Sequence, residues 1–398
     1  MSKRHVQHTK PIHSAQVRVA LLEILQTYVP LEINARDLDE ASLWDILIHS
    51  STHRTTIEAS TTELDSPSSG NTVREHLNQA LDESRTGVVA LEQQFNGALR
   101  AQLPRAFVKQ LARRRYDIAI DLVDIPYHGQ ASHANEEVRR GEAKSGTTHF
   151  HVYATLALVH HHQRYELALT FVWADDPLVQ VLERLLKQAR RIGLQIRHTY
   201  LDKAFCSCTV LRWLRQHRRS YIIPVPVRGK ALKALRHGKW SYQTRYTFYA
   251  GKPEAYTTDL VLVREVSVDR HGHPLVAWLI YAVYGVDALP PYQIRDLYHW
   301  RFGIESGYRQ MHQVRARTTS RKPAVRLLMV GLALLILNVY IVLRRVWLTV
   351  RRYGQRVRRV WLTLKRLALI LLRLVEQLYG VTDIEQVAFS TIDALPFS

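Results

Sequence analysis

The sequence predicts an α/β protein with helical regions at both ends, and three observations carry that prediction. Apolar runs of strand character at 116–129, 148–159 and 164–174 are followed by alternating helix and strand patterns through residue 227. A second β-rich stretch, 228–290, is broken by Gly, Pro and Asp. Residues 1–100 and those after about 291 instead repeat apolar residues at helical spacing. At 398 residues the chain is long enough for two or three domains with sizeable cores.

The elements follow in order. ASLWDILIHSSTHR (41–54) has helical apolar spacing. SPSSG (66–70) reads as a turn, and Asn71 is placed to cap the helix TVREHLNQALDE. Helices about a short turn, with Thr72, Arg74 and Glu75 opening the last, suit either a helix-turn-helix DNA reader or a packing bundle. YDIAIDLVDIPYHG (116–129) alternates like a half-buried strand and ends in a turn, and THFHVYATLALV and RYELALTFVWA continue as strands. Asp175-Asp176-Pro177 then reads as the cap of a helix reaching about 192. QIRHTYLDKAF returns to strand, CSCTVLRWLRQHR to helix and YIIPVPV to strand. Three strands, helix, strand, helix, strand is the order of a ribonuclease-H-like core.

These patterns divide the chain into a helical N-terminal domain (1–100), a domain with the ribonuclease-H-like element order (101–227 with 291–345), a β-rich insertion (228–290) and a basic helical C-terminal region (346–398). In the last region RRVWLT occurs at 344–349 and again at 358–363, an offset that keeps one helix face nearly fixed.

Charge is unevenly distributed. The formal net charge is +20, yet residues 1–100 hold nine Lys/Arg against thirteen Asp/Glu. Between Glu305 and Glu376 sixteen Lys/Arg occur with no carboxylate. One-sign enrichment of this kind suits a polyanionic partner, nucleic acid or an anionic membrane surface. Cys206 and Cys208 cannot build a disulfide framework and suit a reducing cytoplasm. They also lack a second pair for zinc. The N-terminus has no apolar core of a signal peptide. LLMVGLALLILNVYIVL (327–343) approaches the length of a membrane span, but it contains Asn338 and Gly331, so a buried helix of a soluble domain is preferred over a membrane-associated basic protein.

The chemistry is carried by carboxylates in unusual places. Asp121 lies within the apolar strand IAIDLVD, where a charge costs several kcal/mol unless paired or metal-bound. Asp124, three residues on, should point to the opposite sheet face and is its rival. Asp202 ends the apolar strand TYL. In YHWRFGIESGYRQMH (298–312), read as one helix, Tyr298, Arg301, Glu305 and His312 fall within an arc of about 60°. A phenol, a guanidinium and a carboxylate on one face suit a phosphodiester held beside a metal ion better than they suit a core.

This spacing resembles the tyrosine–arginine–glutamate–lysine signature of a group of insertion-sequence transposases with a DDE catalytic site. AIDLVDIPYHG is similar to that group's first-aspartate block, TYLDKAFCS to its second and RFGIESGYRQ to its third. GTTHF (146–150) and RARTTSRKPAVRLL resemble flanking blocks. The resemblance covers roughly 105–345 and implies Asp121, Asp202 and Glu305 as catalytic metal ligands for two Mg²⁺ ions, with Mn²⁺ as a substitute. It implies Tyr298 and Arg301 as phosphate holders and a β insertion before the last catalytic helix. It further implies cut-and-paste movement of double-stranded DNA by a homodimer at the element's terminal repeats. One departure stands out: His312 occupies the lysine position, and a mostly neutral imidazole binds phosphate less well, so Arg309 or Arg315 is a candidate for the missing charge. The alternative from the same resemblance is a DNA-binding protein descended from a transposase and catalytically inactive. The expected location is the cytoplasm, at the nucleoid, with no membrane partner.

Overall fold

The structure is a computed structural model that describes residues 14–33, 35–130, 136–160, 163–299, 301–343 and 362–381, excepting the side chains of 14, 160, 163–164 and 302–306. The RRVWLT repeat, apart from its last two residues, lies outside the described residues. So do Trp300, the rest of 344–361 and residues 382–398.

Six helices open the chain: α1 (Ser14–Tyr28), α2 (Glu40–His53), α3 (Ile57–Glu63), α4 (Gly70–Ala80), α5 (Arg85–Ala101) and α6 (Arg105–Arg113). Then come β1 (Arg115–Pro126), β2 (Arg139–Lys144), β3 (Thr147–His160), β4 (Gln163–Val172), α7 (Leu178–Arg191), β5 (Gln195–Leu201), α8 (Cys208–Gln216) and β6 (Tyr221–Pro224). The β-rich stretch holds α9 (Gly229–Ala234), β7 (Tyr242–Phe248), β8 (Tyr256–Val268) and β9 (Pro274–Tyr284). Helices α10 (Pro291–His299), α11 (Phe302–Met311), α12 (Pro323–Val342) and α13 (Leu364–Leu378) follow.

Among the described residues the strands form one nine-stranded mixed sheet, ordered β2-β3-β1-β5-β6-β9-β8-β7, with β4 also on β3. β1 runs antiparallel to β3 and parallel to β5, and β5 runs parallel to β6. The β-rich stretch joins the same sheet through β6 and β9.

Period-two alternation explains the layering. Ala119, Val123 and Ile125 of β1 face one core together with Tyr153 and Ala157 of β3. Ile118 and Ile120 face the other core with Leu156 and Leu158. The first core is covered by the N-terminal helices with α10–α13, the second by α6–α9. The helices within 1–100 therefore share a continuous core with α12 and the sheet. α13 joins it through Leu364, Leu367, Leu371 and Val375.

α12 accounts for the run that has the length of a membrane span. It passes the length and hydropathy test, yet 83% of its apolar window is buried. Its two odd residues have tertiary uses. A Cβ at Gly331 would lie 2.4 Å from the Phe95 ring, so only glycine lets α5 approach so closely. Asn338 accepts from Glu166 N (3.1 Å) and donates to Glu166 O (2.9 Å), as a neighbouring strand would. Asn96 of α5 does the same for Leu169 at 2.8 Å each way. Helix side chains thus close the outer edge of β4, which would otherwise bury unpaired amides.

Two cap expectations are corrected. α4 starts two residues earlier than the apolar pattern implies, because Ser69, not Asn71, is the N-cap and accepts from Thr72 N. Asp175 and Asp176 do not cap α7, whose N-cap is Pro177 without a side-chain bond. Asp176 instead accepts from Trp173 N and binds the Arg184 guanidinium, while Asp175 binds Arg85.

Candidate active site

Strand register builds the site. β1 and β5 are parallel neighbours with Ile120 opposite Leu201. The next residues are therefore neighbours: Asp121, still paired with Thr155 of β3, and Asp202, just past the end of β5. Asp202 ends β5 by accepting from Lys203 N (2.6 Å), which starts a short 3₁₀ turn over Lys203–Phe205. Asp121 accepts from Leu122 N at 2.9 Å and is only 5% exposed.

One guanidinium joins the two carboxylates. Arg301 Nη2 lies 2.7 Å from Asp121 Oδ2 and 3.3 Å from Asp202 Oδ1. Its Nη1 donates to the Tyr298 hydroxyl at 2.8 Å, and that hydroxyl donates to Leu201 O at 3.2 Å. The guanidinium also stacks near the Tyr298 ring, 5.5 Å from its centre, and Tyr298 packs on Tyr281. A further tyrosine, Tyr308, donates to Asp121 O at 3.1 Å and shares a 2.7 Å hydrogen bond with Thr155, the residue opposite Asp121 on β3.

The helix that carries these groups is not continuous, which corrects the single-helix expectation for 298–312. α10 ends at His299 and α11 begins at Phe302. Between them Arg301 N bonds Tyr298 O, a tight i to i−3 turn. Tyr298 and Arg301 meet across that turn. Glu305 lies on α11 one turn before Tyr308, on the stretch of helix that Tyr308 fastens to β1. Its side chain is outside the described residues.

Electrostatics distinguish the two aspartates of β1. Burial raises the Asp121 carboxyl to about 7; Arg301 opposes the rise and Asp202 adds to it. Asp124 points to the opposite sheet face, is exposed and stands opposite Val152. Surrounding protein raises its carboxyl too, with Lys144 and Arg139 pulling it down. Arg301 contacts Asp121. Tyr298 is 3% exposed and Arg301 4%, so both groups read from sequence as phosphate holders are packed and hydrogen-bonded within the protein.

The lysine-position residue behaves differently from an ordinary imidazole. His312 is the half-buried C-cap of α11. Burial lowers its pKa to about 4, and Arg315, Lys144 and Arg54 contribute to the fall. An imidazole with that pKa is neutral throughout the physiological range. The positive charge around it comes from those three neighbours. Arg315 is itself held below its usual value by burial. Arg309 is exposed on α11.

Sequence reasoning assigned no role to Tyr308, Thr155, Lys144 or Arg54. Tyr308 had a signal: it follows Arg301 by seven residues, two helical turns on the same face. The others had none, because the sheet and the α2–α3 corner bring them in from far along the chain. Away from this site, His49, His53 and Glu63 bring ligand-type atoms within 4.8 Å of one another. Ser60 takes His49 Nδ1 (2.9 Å) and Glu63 pairs with His53 (2.8 Å), so hydrogen bonding within the bundle accounts for the cluster.

Among solved structures, the cryo-EM structure of the piggyBac transposase synaptic complex with hairpin DNA is similar at 12% identity and a TM-score of 0.47, covering 97% of this chain and 77% of that one. No curated protein matches the chain. Residues 112–339 match the Transposase DDE domain family, a span of more than half the chain that runs from just before β1 through α12 and so takes in Asp121, Asp202 and Glu305. A family defined by acidic residues around a transposition site thus meets a fold in which two aspartates converge on one arginine: the chain belongs to the DDE transposase family.

Proposed function

We propose that this transposase belongs to the tyrosine–arginine–glutamate–lysine group of insertion-sequence enzymes and that it cleaves and rejoins double-stranded DNA at the ends of its own element. The observation that carries the reading is the parallel register of β1 and β5, which sets Asp121 and Asp202 against a single cation. The strand order β4-β3-β1-β5-β6, antiparallel through β1 and parallel after it, supports a ribonuclease-H-like core. The four-region scheme, a homodimer on DNA and a cytoplasmic location belong to the same proposal.

Asp121, Asp202 and Glu305 are the residues that would hold two Mg²⁺ ions. The donor set fits hard cations, since it is all carboxylate and the aspartates already accommodate a positive nitrogen between them. Bound there, the ions would activate the attacking oxygen and neutralise charge on the phosphate. The protein's own part is positioning. Leu122 N and Arg301 orient the Asp121 carboxylate, Lys203 N orients that of Asp202, and Tyr308 ties the Glu305-bearing helix to the backbone of β1. The +20 net charge supplies sequence-independent attraction for the DNA backbone.

The test is end cleavage by Asp121→Ala, Asp202→Ala and Glu305→Ala proteins on DNA carrying the element ends. Each is expected to lose cleavage while retaining end binding, because affinity rests mainly on cation–phosphate contacts. Asp124→Ala should keep cleaving. Normal cleavage by Asp121→Ala with loss in Asp124→Ala would move the first ligand to the other face of β1.

A further inference from the structure

A cleft of about 440 Å³ opens between α4 and the segment 317–322, brought together across some 240 residues of chain. Its α4 wall is one helix face. Asn71, Arg74, Glu75 and Asn78 follow the i, i+3, i+4, i+7 rule, Leu77 reaches the cleft from the core side, and Val73 is buried in the core. Amides, a guanidinium and a carboxylate are the side chains that hydrogen-bond base edges in a DNA groove. Arg74 is pre-positioned by Glu58 (2.7 Å) and by Asn71.

The facing wall has the complementary character. Arg317, Arg321 and Lys322 line it together with the hydroxyl residues Thr318, Thr319 and Ser320. Three cations on this wall face one arginine and the carboxylates of Glu58 and Glu75 on the other. The N-terminus of α12 contributes nothing to anion binding, because Glu83 already accepts from Ala324 N at 2.8 Å. The segment is firmly held. Arg317 N bonds Thr55 O at 2.9 Å, and Arg326 donates to Ser320 O (2.5 Å) and to Pro126 O (3.3 Å), at the end of the strand that carries Asp121.

We propose that this cleft takes the backbone of one strand of duplex DNA, with Arg317, Arg321 and Lys322 on its phosphates and the Asn71–Arg74–Glu75–Asn78 face of α4 on neighbouring base edges. The cleft is too small for a duplex but suits a sugar-phosphate ridge at the rim of a groove that α4 faces. Through Arg326, DNA gripped here is registered against β1. The site rests on the DNA-transposition reading above and extends it by assigning the element-specific contacts to α4.

Full-length protein is titrated with a random-sequence duplex at graded KCl, and then used to select from duplexes randomised over about two helical turns. Arg321→Ala/Lys322→Ala should lower the log–log salt slope by about 0.9 for each phosphate no longer neutralised, for every sequence alike. Asn71→Ala/Asn78→Ala should leave that slope intact and weaken the preference for the selected sequence by about tenfold or more. These side chains lie on the cleft walls, so unfolding midpoints report folding independently. If both variants match wild type in slope and in selected sequence, the cleft is a solvated seam and the inference fails, while loss of cleavage in Asp121→Ala would leave the DDE reading standing. If wild type neither binds nor cleaves DNA, the DDE reading falls and the cleft assignment with it.

Discussion

The outer edge of β4 and the carboxyl edge of β1 and β5 both bury polar groups, but they satisfy them differently. At β4 partners are matched: Asn338 and Asn96 each give one donor and one acceptor to a backbone residue, and Glu92 accepts from Thr170 Oγ1 and Phe171 N. At β1 and β5, two carboxylates share one nitrogen of Arg301. Burial raises both Glu92 and Asp121 to about 7. At the β4 edge the backbone groups of Glu166 and Leu169 find both partners within the protein. At the other site one arginine is shared by two carboxylates, one of them buried, and the nearby Asp202 charge adds to the rise of Asp121.

The largest effect should come from breaking the shared cation. Arg301→Ala leaves two neighbouring carboxylates without it, and removing one partner of a buried pair costs about 3–5 kcal/mol. Urea unfolding with a chelator present should show that deficit at neutral pH, and Asp121→Asn on the same background should recover part of it. A deficit below about 1 kcal/mol would mean that Arg301 does not hold the edge together.

Next in size is Asn338→Leu, which removes a donor and an acceptor from the Glu166 backbone. Each buried unsatisfied group costs about 1–3 kcal/mol, so a destabilisation of roughly 2–4 kcal/mol is expected. Hydrogen exchange at Glu166 should rise with it. Unchanged protection at that amide would show that β4 does not depend on this side chain.

The smallest effect separates the two raised carboxyls. Because Glu92 has a folded pKa above its unfolded value, its contribution is fully present below about 4.5 and is lost as pH rises toward about 7. Glu92→Gln keeps an acceptor for Thr170 and Phe171 but cannot ionise. It should match wild type near the lower value and exceed it by up to about 3 kcal/mol at pH 8. Parallel stability curves for the two proteins would mean that folding does not shift the Glu92 pKa.

Much of the sheet was legible because alternation is a local property of extended backbone. The parity that separates Asp121 from Asp124 follows from period two alone, and the buried carboxylate within an apolar strand was visible as an anomaly. The break between α10 and α11 was not legible: YHWRFGIESGYRQMH has no proline, and its helical spacing runs unbroken. The caps of α4 and α7 were misread for a related reason. Several capping residues stand in each stretch, and packing chooses among them.

Local sequence was enough for the run β1, β3, β4, α7, β5, α8 and β6, the acid-free basic stretch and the three blocks that resemble a DDE site, since each depends on residues a few positions apart. Long-range packing supplied what remained. Parallel register put Ile120 beside Leu201 and so made two distant aspartates neighbours. Packing turned Asn338 and Gly331 from interruptions of an apolar helix into a strand cap and a close approach to Phe95. Folding also surrounded His312 with Arg54, Lys144 and Arg315, and set the polar face of α4 opposite residues 317–322. These pairings span from a few residues to hundreds. No local periodicity encodes the distant ones, because they arise only when the two hydrophobic faces of the sheet are covered at once.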